Sequence, residues 1–325
     1  MRVAVVGAGV MGCATAWALR ERGAEVTVHE QFDLDHARGS SHGRTRIFRV
    51  AYPEASWVRL AQDAYAGWQE LDPGLLGLYG LLELARDPAL TSAGALDACG
   101  VPYRLLDADE ARALGASLPD GWTALHVPDA GVVFADRARR AFLEAAGIEV
   151  ETNRRIESTD ELDADVVVVT AGSWVRDLVP DLPVKVTRET VAYFRREGPP
   201  PPSIVDLNAE TGGHGMYSLH DPVHGLKAGA HHAGAEADPG TEAPPEPALV
   251  ERISAWVRER FPDVEPEPVE AQTCLYTTTA DERFILERRG RVVIGSACSG
   301  HGFKFAPAVG RRLAQLALGS EDGES

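Results

Sequence analysis

The sequence has little cysteine, and its cysteines form no pattern that builds a site. Four occur among 325 residues, at Cys13, Cys99, Cys274 and Cys298, with no CxxC pair and no His/Cys zinc spacing. This distribution argues against a disulfide framework and favours a reducing compartment. We therefore predict neither disulfides nor a metal site.

Long apolar runs and a leader segment are also lacking. No apolar run approaches the ~20 residues that span a bilayer. Met1 leads directly into a strand-like run, so the sequence shows no signal peptide. We expect a cytoplasmic protein with no membrane partner.

Positive charge is the third feature in short supply. The chain carries 32 Lys and Arg against 49 Asp and Glu, a formal net charge of −17. An acidic surface repels nucleic acid phosphates and anionic membranes, so we expect neither as a partner. An anionic substrate would need a local basic pocket that works against this field.

The first thirty residues, by contrast, carry a complete β-α-β pattern. Arg2 to Val6 is an apolar strand, Val10 to Arg22 has helical spacing, and Glu25 to His29 is a second strand. Between the first strand and the helix, residues 7–12 (Gly-Ala-Gly-Val-Met-Gly) fit G-x-G-x-x-G. The glycines permit a tight turn, close approach of a pyrophosphate and helix–strand packing, and the helix N-terminus attracts phosphate. This unit predicts a dinucleotide site.

Glu30 closes the second strand, 18 residues after Gly12. A carboxylate at this place accepts hydrogen bonds from ribose hydroxyls. It disfavours NADP, because a 2′-phosphate would meet its negative charge. NAD and FAD both remain open at this point.

Three distant blocks resemble one family. They are His42 to Arg49 (HGRTRIFR), Cys274 to Thr277 (CLYT) and Ser299 to Phe305 (SGHGFKF). With the glycine-rich start, their order and spacing resemble the monomeric sarcosine oxidase family, whose relatives include N-methyltryptophan oxidase and pipecolate-oxidising enzymes. The resemblance covers nearly the whole chain. It implies FAD, and it implies a monomer that oxidises a secondary amino acid, N-alkylated or cyclic.

The resemblance also implies a reaction and a fold. Hydride passes from the amine carbon to flavin N5, the product is an imine, and O2 is reduced to H2O2. The fold class is α/β (α+β overall), a Rossmann-type FAD-binding domain with an inserted, mostly antiparallel substrate domain. The predicted ranges are 1–75, 128–180 and 270–318 for the first domain, 76–127 and 181–269 for the second, and 319–325 for an acidic tail.

By the same resemblance, FAD is attached covalently through a thioether from Cys274 to its 8α carbon. The residues expected to contact FAD are Gly7, Ala8, Gly9, Val10, Met11, Gly12, Glu30, Gln31, Ser41, His42, Arg46, Thr170, Ala171, Gly172, Trp174, Cys274, Gly300, His301, Gly302, Phe303 and Lys304.

The basic residues of these blocks match family positions at the substrate. Arg49 and Lys304 match a pair that grips the substrate carboxylate, as a planar fork and a point charge can. Arg46 matches a residue beside the flavin, where positive charge favours the reduced anion. Lys227 matches a lysine near flavin N5 that promotes O2 reduction by stabilising developing negative charge. Arg44 has no motif position, and we interpret it as a surface group.

Three further side chains are expected around the substrate. His231 matches a family histidine that orients the amine or influences its protonation. Tyr276 can hydrogen-bond at the substrate or flavin face. Tyr217 fills a tyrosine role, although the segment 216–222 departs from the family pattern and leaves the pocket wall open.

Three alternatives stay open from the sequence. One is a dehydrogenase or demethylase of the same fold with an acceptor other than O2. Another is a nucleotide-binding protein without catalysis, and a third is an NAD-dependent imine or amino-acid dehydrogenase. The sequence does not identify the amino acid.

Overall fold

The computed structural model describes residues 1–206 and 215–319. The predicted acidic tail lies outside the described residues from position 320 onward. No helix in the described ranges is both long and apolar enough to cross a membrane.

Strands and helices alternate over much of the chain. The strands are β1 (Arg2–Val6), β2 (Glu25–His29), β3 (Thr45–Phe48), β4 (Leu76–Gly77), β5 (Leu81–Ala85), β6 (Arg104–Leu106), β7 (Thr123–Val127), β8 (Gly131–Phe134), β9 (Val150–Glu151), β10 (Val166–Val169), β11 (Lys185–Arg195), β12 (Ser203–Asp206), β13 (Met216–Asp221), β14 (Gly225–Ala230), β15 (Ala235–Glu236), β16 (Glu270–Thr278), β17 (Ile285–Arg289) and β18 (Val292–Ser296). The helices are α1 (Val10–Glu21), α2 (Ala55–Leu71), α3 (Ala93–Ala98), α4 (Ala108–Ala113), α5 (Ala135–Ala146), α6 (Val175–Leu178), α7 (Pro247–Arg260) and α8 (Ala306–Leu318).

A mainly parallel sheet carries the N-terminal unit. Its strand order is β17-β18-β10-β1-β2-β9, and only the β17–β18 pair is antiparallel. The central strand β10 is four buried valines, as suits a strand covered on both faces. Ligands of such sheets bind beyond the carboxyl ends of the strands, where β1, β2, β10 and β18 end together. The fold therefore predicts a site at this edge.

A second sheet is mostly antiparallel. Its order is β15-β11-β14-β13-β12-β5-β7-β6, with β16 also paired to β11. On β14, Leu226 and Ala228 pack into a core that includes Trp256 of α7, whereas Lys227 points to the opposite face. This alternation is the period of two expected of a strand. A small third sheet, β3-β8-β4, also forms.

The predicted fold class is confirmed, because parallel and antiparallel sheets both form and α-helices pack around them. The division into two domains stays a prediction, with one difference. The range 270–318 was assigned to the FAD-binding part, yet β16 pairs with β11 along its whole length. A strand can line a site between two sheets without belonging to the sheet that binds pyrophosphate.

Candidate active site

One continuous cavity runs from the carboxyl edge of the parallel sheet to the inner face of the antiparallel sheet. The empty space in the cavity and the solvent at its open mouth together amount to about 1960 Å³. Of the residues predicted for the site, all line this cavity except Ala8 and Gly12. The structure thus brings together residues that lie up to about 300 positions apart, while their individual roles stay predictions.

At one end of the cavity lies the glycine-rich turn. Gly7 has φ +100, a conformation that favours glycine, and its N–H donates to the His29 carbonyl at 2.8 Å. Helix α1 begins at Val10 with no side-chain cap at Gly9 and no acidic residue in its first turn. Its positive end therefore faces the cavity with no acidic residue in the first turn of the helix, which suits an anion site.

Gly12 lies behind this turn, and for this reason it does not line the cavity. A Cβ added there would lie 1.9 Å from the Gly7 carbonyl oxygen and 2.8 Å from Thr170 Oγ1. The position serves the close packing of α1 against the strand ends.

We expect Gly12→Ala to lower stability by about 1–3 kcal/mol through overpacking and to weaken FAD retention. Gly94→Ala is the matched control, because it is a helical glycine with open space around its Cβ position. Thermal unfolding and the flavin-to-protein absorbance ratio measure both effects. A Gly12→Ala protein as stable and as yellow as the control would contradict the assignment.

Glu30 is nearly buried at the end of β2. Its carboxylate accepts the Ala8 N–H at 2.9 Å and the Phe32 N–H at 3.1 Å. These bonds hold it beside the glycine turn, where a ribose would lie. Sequence reasoning missed three arginines that line the cavity at this end, namely Arg139, Arg154 and Arg155. They belong to no short motif, and only the folded chain brings them here.

Cys274 and Cys298 both line the middle of the cavity. Burial raises the pKa of the Cys274 thiol, while the charges of Arg46 and Lys227 act to lower it. Cys298 Sγ accepts the Thr277 N–H at 3.4 Å and lies 3.9 Å from Ser40 Oγ. Cys274 carries no such hydrogen bond in the described residues.

Four cations line the far half of the cavity: Arg46, Arg49, Lys227 and Lys304. Arg46 donates to the carbonyls of Thr45 and Ser40 at 2.9 and 2.8 Å. Within the described ranges, no carboxylate forms an ion pair with any of the four. Lys227 and Lys304 are buried, and buried charge without a paired carboxylate is costly, so this half of the cavity suits an anion.

Arg44 provides the contrast. It pairs with the buried Asp221 at 2.7 Å and with Glu270 at 3.3 Å, and it stacks over Tyr193. Arg44 is half-buried and paired, which differs from the surface group that the sequence suggested. It does not line the cavity, so its role is structural.

Lys227 is buried on β14. Its ammonium donates to the Thr45 carbonyl at 3.4 Å and lies 5.6 Å from the centre of the Tyr193 ring. Burial, reinforced by the charge of Arg46, lowers its pKa to about 7. Near neutral pH this lysine therefore exchanges between its charged and neutral forms.

Lys304 and Arg49 share an aromatic neighbour that the sequence did not reveal. The Arg49 guanidinium lies 4.1 Å and the Lys304 ammonium 5.7 Å from the centre of the Tyr52 ring. Lys304 also donates to the His301 carbonyl at 2.6 Å. Burial, and then the charge of Arg49, lowers the pKa of Lys304 well below its usual value. The negative charge of a bound carboxylate would offset both effects, because it stabilises the ammonium form.

His231, Tyr217 and Tyr276 meet beside these cations. The two tyrosine hydroxyls interact electrostatically, and the His231 ring lies edge-on to both rings. Burial and the neighbouring His232 lower the pKa of His231, so its imidazole is neutral. Gly300, at φ +72, leaves room for them, because a Cβ there would lie 2.5 Å from the Tyr276 ring.

Apolar side chains complete the cavity near Lys227. Sequence reasoning missed this wall, because its residues come from four strands with no shared motif. Its members are Ile47, Val191, Val205, Met216 and Leu219.

The residues of the cavity fit a flavin dinucleotide. The N-terminus of α1 and the Glu30 carboxylate suit the pyrophosphate and ribose. Farther along, His42 Nε2 is buried and has no hydrogen-bond partner among the described residues. Burial, and then Arg46, lowers the pKa of His42 to about 3, which leaves a neutral group aimed at a ligand.

Comparisons with known proteins agree with this geometry. The family described as FAD dependent oxidoreductase matches residues 2–316. The peroxisomal sarcosine oxidase of Homo sapiens is 32% identical, over 97% of this chain and 91% of the human protein. The monomeric sarcosine oxidase of Bacillus sp. (strain B-0618) is 31% identical, over 97% and 92%.

Solved structures are similar over nearly the whole chain as well. The open form of NikD, described as an unusual amino acid oxidase essential for nikkomycin biosynthesis, has a TM-score of 0.85 and 25% identity, covering 99% of this chain and 94% of NikD. L-proline dehydrogenase from P. horikoshii has the same TM-score and coverage at 20% identity, which shows the fold alone.

Proposed function

The chain belongs to the FAD dependent oxidoreductase family and is an FAD-dependent amine oxidoreductase, and from this premise we propose that it is an oxidase of a small secondary amino acid. Its curated relatives are named sarcosine oxidases, so an N-alkyl or cyclic amino acid is the proposed substrate class. One observation carries the proposal. Four cations that form no ion pair with a carboxylate of the described residues line the cavity of a protein whose net charge is −17.

The proposed roles of the chain's own residues follow from their positions. Arg49 and Lys304 bind the substrate carboxylate and thereby fix the amine near His231. The neutral His231 can accept a hydrogen bond from the amine and so stabilise its orientation. FAD, when bound, supplies the two-electron oxidation that converts the amine to an imine. The apolar wall, which includes Val191 and Met216, excludes water from the substrate.

O2 is the proposed electron acceptor because of Lys227. A buried ammonium stabilises negative charge that develops on oxygen, and a low-dielectric site strengthens this effect. We further propose a monomer, since a Bacillus relative carries that word in its name. The cytoplasmic location stays a prediction, and the human relative is named peroxisomal.

The test is a screen of oxygen consumption and H2O2 formation with sarcosine, other N-methyl amino acids, proline and pipecolate. The visible spectrum is recorded first, and flavin absorption excludes an NAD-only dehydrogenase. We expect O2 uptake and equal amounts of H2O2 with at least one of these substrates. Substrate-dependent dye reduction without O2 uptake would instead identify a dehydrogenase. No turnover with either acceptor would contradict catalysis.

Covalent attachment of FAD through Cys274 is a separate proposal. Its support is the C-x-Y-T match together with the position of Cys274 on the cavity wall. We expect wild-type protein to stay yellow after acid precipitation and Cys274→Ala to release its flavin into the supernatant. Cys298→Ala is the matched control and should retain the colour. Release of flavin from the wild-type protein would rule out covalent attachment. Release only from Cys298→Ala would identify Cys298, rather than Cys274, as the attachment site.

A further inference from the structure

Two histidines and a glutamate converge between the cavity and the solvent. The possible donor atoms of His231, His232 and Glu282 all lie within 4.8 Å of one another. His231 lines the cavity, His232 is nearly buried, and Glu282 is exposed at the outer side. We propose that these three residues bind a divalent transition-metal ion such as Zn²⁺, and that this ion inhibits the enzyme.

The ligand chemistry favours Zn²⁺ and similar ions. Two imidazoles and one carboxylate suit Zn²⁺, Ni²⁺ and Cu²⁺ better than Mg²⁺ or Ca²⁺, which prefer oxygen ligands. Bonds of about 2.0–2.1 Å place tetrahedral donors roughly 3.3 Å apart. The distance from His232 Nε2 to Glu282 Oε1 is 3.6 Å, so small side-chain rotations suffice to close the site.

Buried hydrogen bonds hold the turn that carries the two histidines. The buried Glu189 carboxylate accepts the N–H groups of Ala233 and Gly234 at 3.0 and 2.8 Å. His232 is thereby held at φ +53, in the left-handed region that a side chain rarely adopts. Such a conformation persists only where the surroundings enforce it, and it concentrates at functional sites.

The loop that carries Glu282 is held in a similar way. Glu282 itself also adopts a left-handed backbone conformation, at φ +59. The His301 ring lies 3.2 Å from the Glu282 carbonyl oxygen and ties the loop to the cavity wall. Both ligand-bearing turns are therefore positioned before an ion arrives.

Nearby positive charge sets the expected strength of the site. Arg49 and Lys304 act electrostatically on His231, and they would repel a cation. We therefore expect a micromolar site that responds to added metal, weaker than a structural zinc centre. The proposed oxidation needs no metal, so the ion is an inhibitor.

The consequence for activity follows from His231. Its free nitrogen would be bound to the ion and could no longer meet the substrate amine. The ion also adds positive charge where the amine has to approach. Zn²⁺ should therefore inhibit competitively with the amino acid.

The experiment uses chelator-treated, FAD-loaded enzyme in a buffer that does not bind metals. Calorimetric titration with ZnCl2 measures binding without reference to activity, and oxygen uptake measures inhibition. We expect one Zn²⁺ per chain, inhibition that EDTA reverses, and a competitive pattern. His232→Asn, which tolerates the left-handed backbone, and Glu282→Gln should each weaken binding and inhibition by about tenfold or more.

Asp281→Asn is the matched control, since it removes an exposed negative charge from the same loop and leaves the three ligands intact. It should bind Zn²⁺ as the wild type does. No binding below millimolar Zn²⁺, or equal binding by His232→Asn and Glu282→Gln, would overturn the site. If the variants lose Zn²⁺ binding but Zn²⁺ does not inhibit the wild-type enzyme, the site stands and the inhibitory role is overturned. Because calorimetry measures binding directly, the outcomes for the site itself do not depend on the proposed substrate, whereas the inhibitory role rests on the proposed function.

Discussion

Lys227→Met should slow the reoxidation of the reduced enzyme by O2 about 10²–10³-fold, the loss typical of removing one preorganised electrostatic group. The amino-acid-dependent reduction of the enzyme should stay close to the wild-type rate, because Lys227 is not proposed to touch the carboxylate. Stopped-flow mixing of reduced enzyme with O2 measures the first step. Anaerobic mixing with substrate measures the second.

The surroundings of Lys227 account for this size of effect. The described residues place only the Thr45 carbonyl, at 3.4 Å, within hydrogen-bond distance of the ammonium. Its charge is therefore weakly satisfied before negative charge develops nearby. Methionine fills a similar volume and carries no charge that burial would destabilise, so the substitution should preserve the fold. Slow reoxidation of Lys227→Met would thus reflect the loss of the positive charge rather than a change in the structure.

The pH dependence gives a second readout of the same residue. The pKa of Lys227 is lowered to about 7, so the ammonium is present below that pH and is lost as the pH rises. Negative charge beside the lysine raises its pKa, so the midpoint should lie at about 7 or above. Reoxidation should be fastest below the midpoint and slower above it, whereas Lys227→Met should show no such change.

Lys185→Met is the matched control. The chain has only three lysines, and Lys185 is exposed and paired with Glu236 at 3.3 Å. Its removal should leave both half-reactions unchanged. Rapid reoxidation of Lys227→Met by O2 would contradict the role of Lys227 in O2 reduction. Slow reoxidation of the wild-type enzyme would instead favour the alternative of a dehydrogenase.

Local signals in the sequence predicted much of this site. The glycine turn and Glu30 lie within one β-α-β unit of about thirty residues, where spacing along the chain fixes spacing in the fold. Lys227 and Lys304 could be placed only through family motifs, because a lone lysine carries no positional information. The structure places all four at one cavity, and Gly12 just behind it.

The features that sequence reasoning missed depend on long-range packing. Tyr52 precedes α2 and meets Lys304 only because α2 packs beside the C-terminal segment. The pairing of β16 with β11 joins segments about 80 residues apart. Glu189 resembles any other charged strand residue until the turn at Ala233 folds onto its carboxylate. No local pattern contains these contacts.

The second large effect is expected at the carboxylate end of the substrate. Lys304→Met should raise KM by roughly 10- to 150-fold, which corresponds to the loss of about 1.5–3 kcal/mol from one charged hydrogen bond. The value of kcat should fall less, because the carboxylate contact is made equally in the bound substrate and in the transition state. Steady-state kinetics with an amino acid identified by the screen measures the split.

A substrate analogue separates this role from a merely structural one. The matching amine without its carboxylate should show no rise in KM with Lys304→Met, because it has no group for Lys304 to bind. An equal rise for both compounds would show that the substitution distorts the cavity instead.

The Lys304→Met enzyme should be more stable than the wild type, although it binds the substrate more weakly. Lys304 is buried next to Arg49, and no carboxylate in the described ranges pairs with either. Removing the buried Lys304 ammonium relieves its desolvation and its repulsion by the half-buried Arg49, so Lys304→Met should raise the Tm of the substrate-free enzyme. Added substrate should then stabilise the variant less than the wild type, because stabilisation by a ligand depends on its affinity. A variant with lower Tm and unchanged KM would mean that Lys304 supports the fold, mainly through its bond to the His301 carbonyl, and does not bind the carboxylate.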